Sequence, residues 1–282
     1  MSQRIFEAAT YLFDPLHAFW ESKSTHRRVA SLLALVFLAG IIGIELKRRG
    51  LLPSFLAEHA PTNHFHAVNL AFTLLLILEV VGLIFALPSS FSRSVGKQFE
   101  ILCLILMRNS FKELVNFPEP ISVTHVEPLL RIMSDGSGAL IVFVLLGVYY
   151  RLQRPKEDIV YGESLYSMVA MKKIIALGLF AAFAGMGVVN AWQFVTHGPE
   201  IEFFTTFYTI LIFNDILLVL ISQRYLPAFR AVFRNSGFAL CTLLIRLALA
   251  APPFYNAALG VGAMGFAVCL TLACRRFSEP KE

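Results

Sequence analysis

Residues 66–87 read HAVNLAFTLLLILEVVGLIFAL. A helix crosses the ~30 Å hydrocarbon core of a bilayer with about 20 mostly apolar residues. This run is long enough, and its apolar residues do not collect on one face. Such a helix has no wet side, so its surroundings are lipid or other apolar helices. One carboxylate, Glu79, stands inside it.

Seven more runs of the same kind flank it, over 28–46, 97–116, 135–153, 172–195, 202–222, 234–251 and 254–274. Pro88, Pro227 and the pair Pro252-Pro253 fall between runs, where a missing backbone donor costs little. Composition agrees. The 282 residues are 57% hydrophobic and only 15% charged, against about 25% charged in soluble domains. The expected fold is therefore all-α and integral to the membrane, with eight transmembrane helices. The formal net charge of +5 does not predict nucleic-acid binding, because the charges first have to be assigned to a side of the bilayer. Cys103, Cys241, Cys269 and Cys274 lie in apolar runs and form no Cys-x-x-Cys pair, the pattern of small buried side chains.

Lys and Arg set the expected orientation, since cytoplasmic loops carry their excess. With the N-terminus inside, the cytoplasmic parts hold Arg27, Arg28, Arg93, Lys97, Arg151, Arg154, Lys156, Lys172, Lys173, Arg224, Arg230, Arg234, Arg275 and Arg276. The outer parts hold Lys47, Arg48, Arg49, Lys112 and Arg131, the first three against the trend. Both termini are then cytoplasmic. No cleavable leader is expected, because the first residues lack an uninterrupted apolar core. Instead Ile5, Ala9, Leu12, Leu16 and Phe19 recur at helical spacing. They predict an amphipathic helix on the cytoplasmic face, lying on the membrane or docked on the bundle.

The chain also repeats itself. Arg27-Arg28 and Ala39-Gly40 match Lys172-Lys173 and Ala184-Gly185. Thr73 and Glu79 match Thr209 and Asp215. The run from Leu102-Cys103 to Arg108 matches that from Leu240-Cys241 to Arg246, and Pro155-Lys156-Glu157 matches Pro280-Lys281-Glu282. The order is kept throughout. This divides the chain into an amphipathic segment (1–26), a four-helix repeat (27–157), a cytoplasmic linker (158–171) and a second four-helix repeat (172–282). An even helix count per copy makes the repeats parallel, related by an axis along the membrane normal. Ala39, Gly40 and Gly43, with Ala181, Ala184, Gly185 and Gly187, suggest that the first and fifth spans meet at that axis or in a dimer. Ordinary small residues of membrane helices are the plainer reading.

An acid in the second helix, a basic loop, an arginine in the third helix and a basic end to the fourth form a recognisable pattern. Its carriers are Asp215, Leu244-Ile245-Arg246-Leu247 and Arg275-Arg276 in the second copy, and Glu79, Leu106-Met107-Arg108 and Arg151 in the first. It resembles the small four-helix phosphate-starvation-inducible PsiE-type inner-membrane proteins. This chain differs in being duplicated and in a long outer loop over 112–134. The resemblance implies a multi-pass protein of the inner (plasma) membrane and implies no activity.

The sharpest chemical signal is the recurring pair of charges. At 1.5 Å per residue Glu79 lies ~12 Å and Arg108 ~17 Å from the inner ends of their runs. Asp215 and Arg246 repeat the arrangement. A charge at mid-membrane costs at least ~2.5–3.5 kcal/mol, so two interior ion pairs are expected. They either line a path for protons, ions or a small solute, or lock helix register as buried salt bridges. A voltage sensor would stack several arginines on one helix, and each third helix offers one at this depth. Glu45, Asn190 and Glu100 are secondary polar positions near span ends.

His64-x-His66 has the spacing of a local metal clip, with His125 and His197 predicted on the same side. Imidazole pairs are also common in loops, and no metal site is expected. Asp135-Gly136-Ser137-Gly138 and Asn235-Ser236-Gly237 read as helix starts, where such side chains cap free amides. The sequence has no phosphate-binding loop, nucleophile elbow or His-Glu-x-x-His. It therefore predicts no enzyme and no cofactor. The expected partners are the lipid bilayer, an ion or small solute and, optionally, further copies of the chain. The alternative is a non-conducting scaffold or regulatory protein that binds a partner or lipid.

Overall fold

The computed structural model describes residues 2–51, 61–118, 126–153, 163–196, 203–225 and 228–277. These residues form nine α-helices and one 3-10 turn, with no strand among them. The helices are α1 (Ser2–Glu21), α2 (Lys23–Arg48), α3 (Phe65–Ala86), α4 (Phe91–Lys112), α5 (Val126–Leu152), α6 (Glu163–Thr196), α7 (Phe203–Tyr225), α8 (Phe229–Ala250) and α9 (Tyr255–Arg276). Seven of them, α2, α3 and α5 to α9, contain a stretch long and apolar enough to cross a membrane. Their outward residues fit that role. Leu35 and Leu38 of α2, Phe143 and Val144 of α5, Val188 and Trp192 of α6 and Phe213 of α7 are all exposed. A surface this apolar is the signature of a polytopic membrane protein.

The expected third span differs from the others. A helix forms there, but over Phe91–Lys112, and it lacks a stretch apolar enough to be counted with the seven. The reason is its position. Helix α4 packs against α3, α5 and α8 and also touches α9. Ser92, Ser94, Gln98 and Ser110 are buried on it, beside Phe99, Leu102 and Leu106. A helix packed on several others needs lipid-facing apolar residues on one side only, here Leu104, Met107 and Phe111, which are exposed. Its polar start is capped by Ser90, whose hydroxyl accepts from the Arg93 amide at 3.4 Å.

Two apolar cores hold the bundle. One is built by α4, α5, α8 and α9 around Phe99, Leu102, Val142, Phe238, Ile245 and Met264. The other joins α1, α3, α6 and α7 around Phe13, Ile84, Phe183, Phe207 and Leu211. Each core takes helices from both halves of the chain.

The end of α5 meets the start of α4, where the Tyr149 hydroxyl donates to the Ser92 carbonyl at 2.8 Å. It also meets the start of α8, where Tyr149 and Phe238 stack edge to face. Helix α1 lies on this near face. It docks on α6, burying Ala9 and Phe13, with Asp14 and Lys173 paired at 2.6 Å. Tyr11, Leu12 and Phe19 on its other side are exposed. The helix runs through Pro15 without interruption.

Two local expectations are corrected and a third is narrowed, the meeting of the first and fifth spans within one chain. Asp135–Gly138 and Asn235–Gly237 are not helix starts; they lie inside α5 and α8. Their polar groups bind neighbouring helices instead of free amides. Asn256 Nδ2 donates to Asp135 Oδ1 at 2.8 Å, and Asn235 Nδ2 donates to Ser222 Oγ at 2.7 Å, all four residues being buried. The outer loop is shorter than 112–134, because α5 begins at Val126 and tolerates Pro128 in its first turn. The first and fifth spans, α2 and α6, share no extended contact. Gly40 packs on Ala67 of α3, while a Cβ at Gly43, Gly185 or Gly187 would meet nothing.

The close approach occurs elsewhere. A Cβ at Gly138 would stand 2.7 Å from the Ala257 Cβ and 3.3 Å from its Cα. Backbone cannot yield as a flexible side chain does, so Gly138→Ala forces α5 and α9 apart. We expect a loss of about 1–3 kcal/mol, measured by unfolding in detergent. Gly147→Ala in the same helix meets nothing within 4 Å and is expected to cost nothing.

Candidate functional site

The four predicted charges lie in one region of the bundle. Glu79 is on α3, Arg108 on α4, Asp215 on α7 and Arg246 on α8. Arg108 precedes the end of α4 at Lys112 by about one turn, and Arg246 precedes the end of α8 at Ala250 by the same interval. Because α4 begins at Phe91 rather than 97, Arg108 stands deeper from the near face than the sequence suggested.

One of the two expected ion pairs closes. Arg246 Nε lies 3.9 Å from Asp215 Oδ2, and Arg246 Nη2 donates to the Gln98 side-chain carbonyl at 3.0 Å. Arg246 is 2% exposed. The other pair stays open. Arg108 turns to the backbone, donating to the Phe72 carbonyl at 3.4 Å and to Asn109 Oδ1 at 3.2 Å. It acts on Glu79 through space, without an ion-pair contact. Glu79 Oε2, Arg108 Nε, Asp215 Oδ2 and Arg246 Nε are all buried without a hydrogen-bond partner among the described residues. Unmet polar capacity of this kind is expensive in an apolar interior and uncommon in native cores.

Tyr208 of α7 is near both pairs. Its buried phenol lies within electrostatic reach of Arg246, Arg108 and Glu79. Sequence reading passed over it, although Tyr208, Leu211, Asp215 and Leu218 share one buried helical face. Gln98 was also missed, and no sequence signal marks it, because it meets Arg246 only in the folded chain. Lys172 was counted as a loop charge. It is instead buried at the start of the bundle, donating to the Ser89 carbonyl at 3.1 Å and lying 4.4 Å from the Phe91 ring centre.

Two cavities have one of the acids in their lining. The larger, about 370 Å³, is lined by His17, Trp20, Glu21, His26, Glu79 and Phe85. It lies between the end of α1, the start of α2, the second half of α3 and the middle of α4, toward the near face. The other, about 20 Å³ and so room for a single water, is lined by Ser89, Ser94, Gln98, Lys172, Asp215 and Thr242.

The secondary positions are peripheral. Glu45 pairs with Arg49 at 2.7 Å and lies 3.6 Å from His64, at the far end of α2. This offsets part of the Lys47-Arg48-Arg49 charge. Glu100 accepts from Lys97 at 2.8 Å and from the Tyr150 hydroxyl at 2.6 Å. Asn190 is half-buried on the far half of α6. His64 and His66 belong to no cluster of three or more metal-ligating side chains among the described residues. His125 and His197 lie outside those residues.

Family models, curated proteins and solved structures give no match to this chain.

Proposed function

We propose that the chain carries protons, ions or a small solute across a membrane, along a polar path through Glu79, Arg108, Asp215 and Arg246. The observation that carries this reading is the near-face cavity with Glu79 in its lining, a carboxylate that makes no ion pair with Arg108. A purely structural charge would be sealed and satisfied. Tyr208 lies within electrostatic reach of Glu79 and both arginines.

In this reading α4 is the eighth span, polar because it is central. The chain is a tandem parallel repeat. In its support, packing of α2 on α3, α3 on α4 and α4 on α5 recurs as α6 on α7, α7 on α8 and α8 on α9. The near face, with Arg27, Arg28, Lys97 and Lys173, is the cytoplasmic one. The membrane is the inner one, as the PsiE-type resemblance implies.

A scaffold that conducts nothing is the second reading. It is favoured by the enclosure of Arg246 between Gln98 and Asp215. Thiol accessibility separates the two. In a background without Cys103, Cys241, Cys269 and Cys274, a cysteine replacing Glu79 is expected to react with a membrane-impermeant thiol reagent applied to the near face. One replacing Leu83, a turn away and buried, is expected not to react. Lack of reaction at both positions in folded protein means a dry core and supports the scaffold.

A further inference from the structure

We propose that the near-face cavity binds a monovalent organic cation, with Glu79 as counter-charge and Trp20 and Phe85 as aromatic wall. This rests on the path proposed above and names the class of solute that enters it.

The volume of about 370 Å³ is in the range of small-molecule sites, roughly 300–1,000 Å³. Its apolar walls are Leu75, Leu78, Gly82, Ile101 and the outward-facing Leu104, with Glu79 among them. An inorganic ion entering this space would give up its water and find few oxygens to replace it. An ion that carries its own apolar surface loses less.

The charge pattern selects sign. Glu79 lines the cavity and is not paired, because Arg108 is turned to Phe72 and Asn109. Lys97, the lysine on the cavity wall, is held by Glu100 at 2.8 Å, and His17 lies 3.5 Å from Glu21. An anion would face two carboxylates, Glu79 and Glu21.

Aromatic faces complete the site. The rings of Trp20 and Phe85 are 6.0 Å apart, His17 lies 6.1 Å from Phe85, and His26 lies 6.3 Å from Trp20. Trp20 reaches across to α3, where a Cβ at Gly82 would stand 3.2 Å from the indole nitrogen. Indole and phenyl faces attract cations, and more strongly where water is excluded.

The chain has two tryptophans, so Trp192→Phe leaves Trp20 as the sole reporter. In detergent-solubilised full-length Trp192→Phe protein, N-benzylpyridinium is expected to quench Trp20 fluorescence saturably. Glu79→Gln is expected to weaken binding at least about tenfold, while Glu79→Asp, which keeps the charge, retains most of it. Diphenylmethane, of the same shape without charge, is expected not to compete. Absence of saturable quenching, equal affinity in Glu79→Gln, or equal competition by diphenylmethane overturns the proposal. The path can fail separately. Cation binding without any flux removes the path and keeps the site, whereas proton or inorganic-ion flux without cation binding does the reverse.

Discussion

Arg246→Leu is expected to lower the stability of the folded bundle by about 3–5 kcal/mol, read from the loss of helicity as denaturing detergent is added. Arg246 is 2% exposed and holds both the Asp215 carboxylate and the Gln98 carbonyl. Removing it strands a buried anion and a buried acceptor together. The cost comes from that stranding more than from the pair's own attraction. Asp215→Asn combined with Arg246→Leu is therefore expected to recover most of the loss. If the double variant is as unstable as the sum of its parts, the two residues are uncoupled and the pair is not what holds α7 to α8. Arg108→Leu offers a contrast. Arg108 is half-buried and bonded to a backbone carbonyl and Asn109, with no acid in ion-pair contact. Its loss is expected to cost less. One arginine serves the bundle more as a strut, and the other leaves its acid open to the cavity.

This inequality bears on what could be read from the sequence. The apolar runs marked all eight helices of the main bundle, because lipid and core both demand apolar residues over a helix length. Helix α4 shows the limit of hydropathy. Its buried Ser92, Ser94, Gln98 and Ser110 answer to protein neighbours rather than to lipid, and a hydropathy window is blind to that difference. The same limit turned Asp135 and Asn235 into apparent helix caps. A small polar residue beside glycine suits a cap and an interhelical hydrogen bond equally well, and only Asn256 and Ser222 across the interface decide between them.

The four charges were legible because charge inside an apolar run is conspicuous. Their partners were not. The sequence could pair Glu79 with Arg108 by distance along helices, but not see that Arg108 would prefer the Phe72 carbonyl. Nor could periodicity tell which surface α1 would meet. Ala9 and Phe13 dock on the protein while Tyr11, Leu12 and Phe19 stay exposed, so the bundle takes one side of that helix and leaves the other free of it.

The most direct test is flux through the purified full-length chain in proteoliposomes, under imposed proton, cation and voltage gradients. Wild type is compared with Glu79→Gln/Asp215→Asn at equal amounts of folded, reconstituted protein. The account predicts wild-type flux above that of empty liposomes, falling to their level in the double variant. Wild-type flux no greater than that of empty liposomes under every gradient, or flux unchanged in the double variant, contradicts a path through these acids.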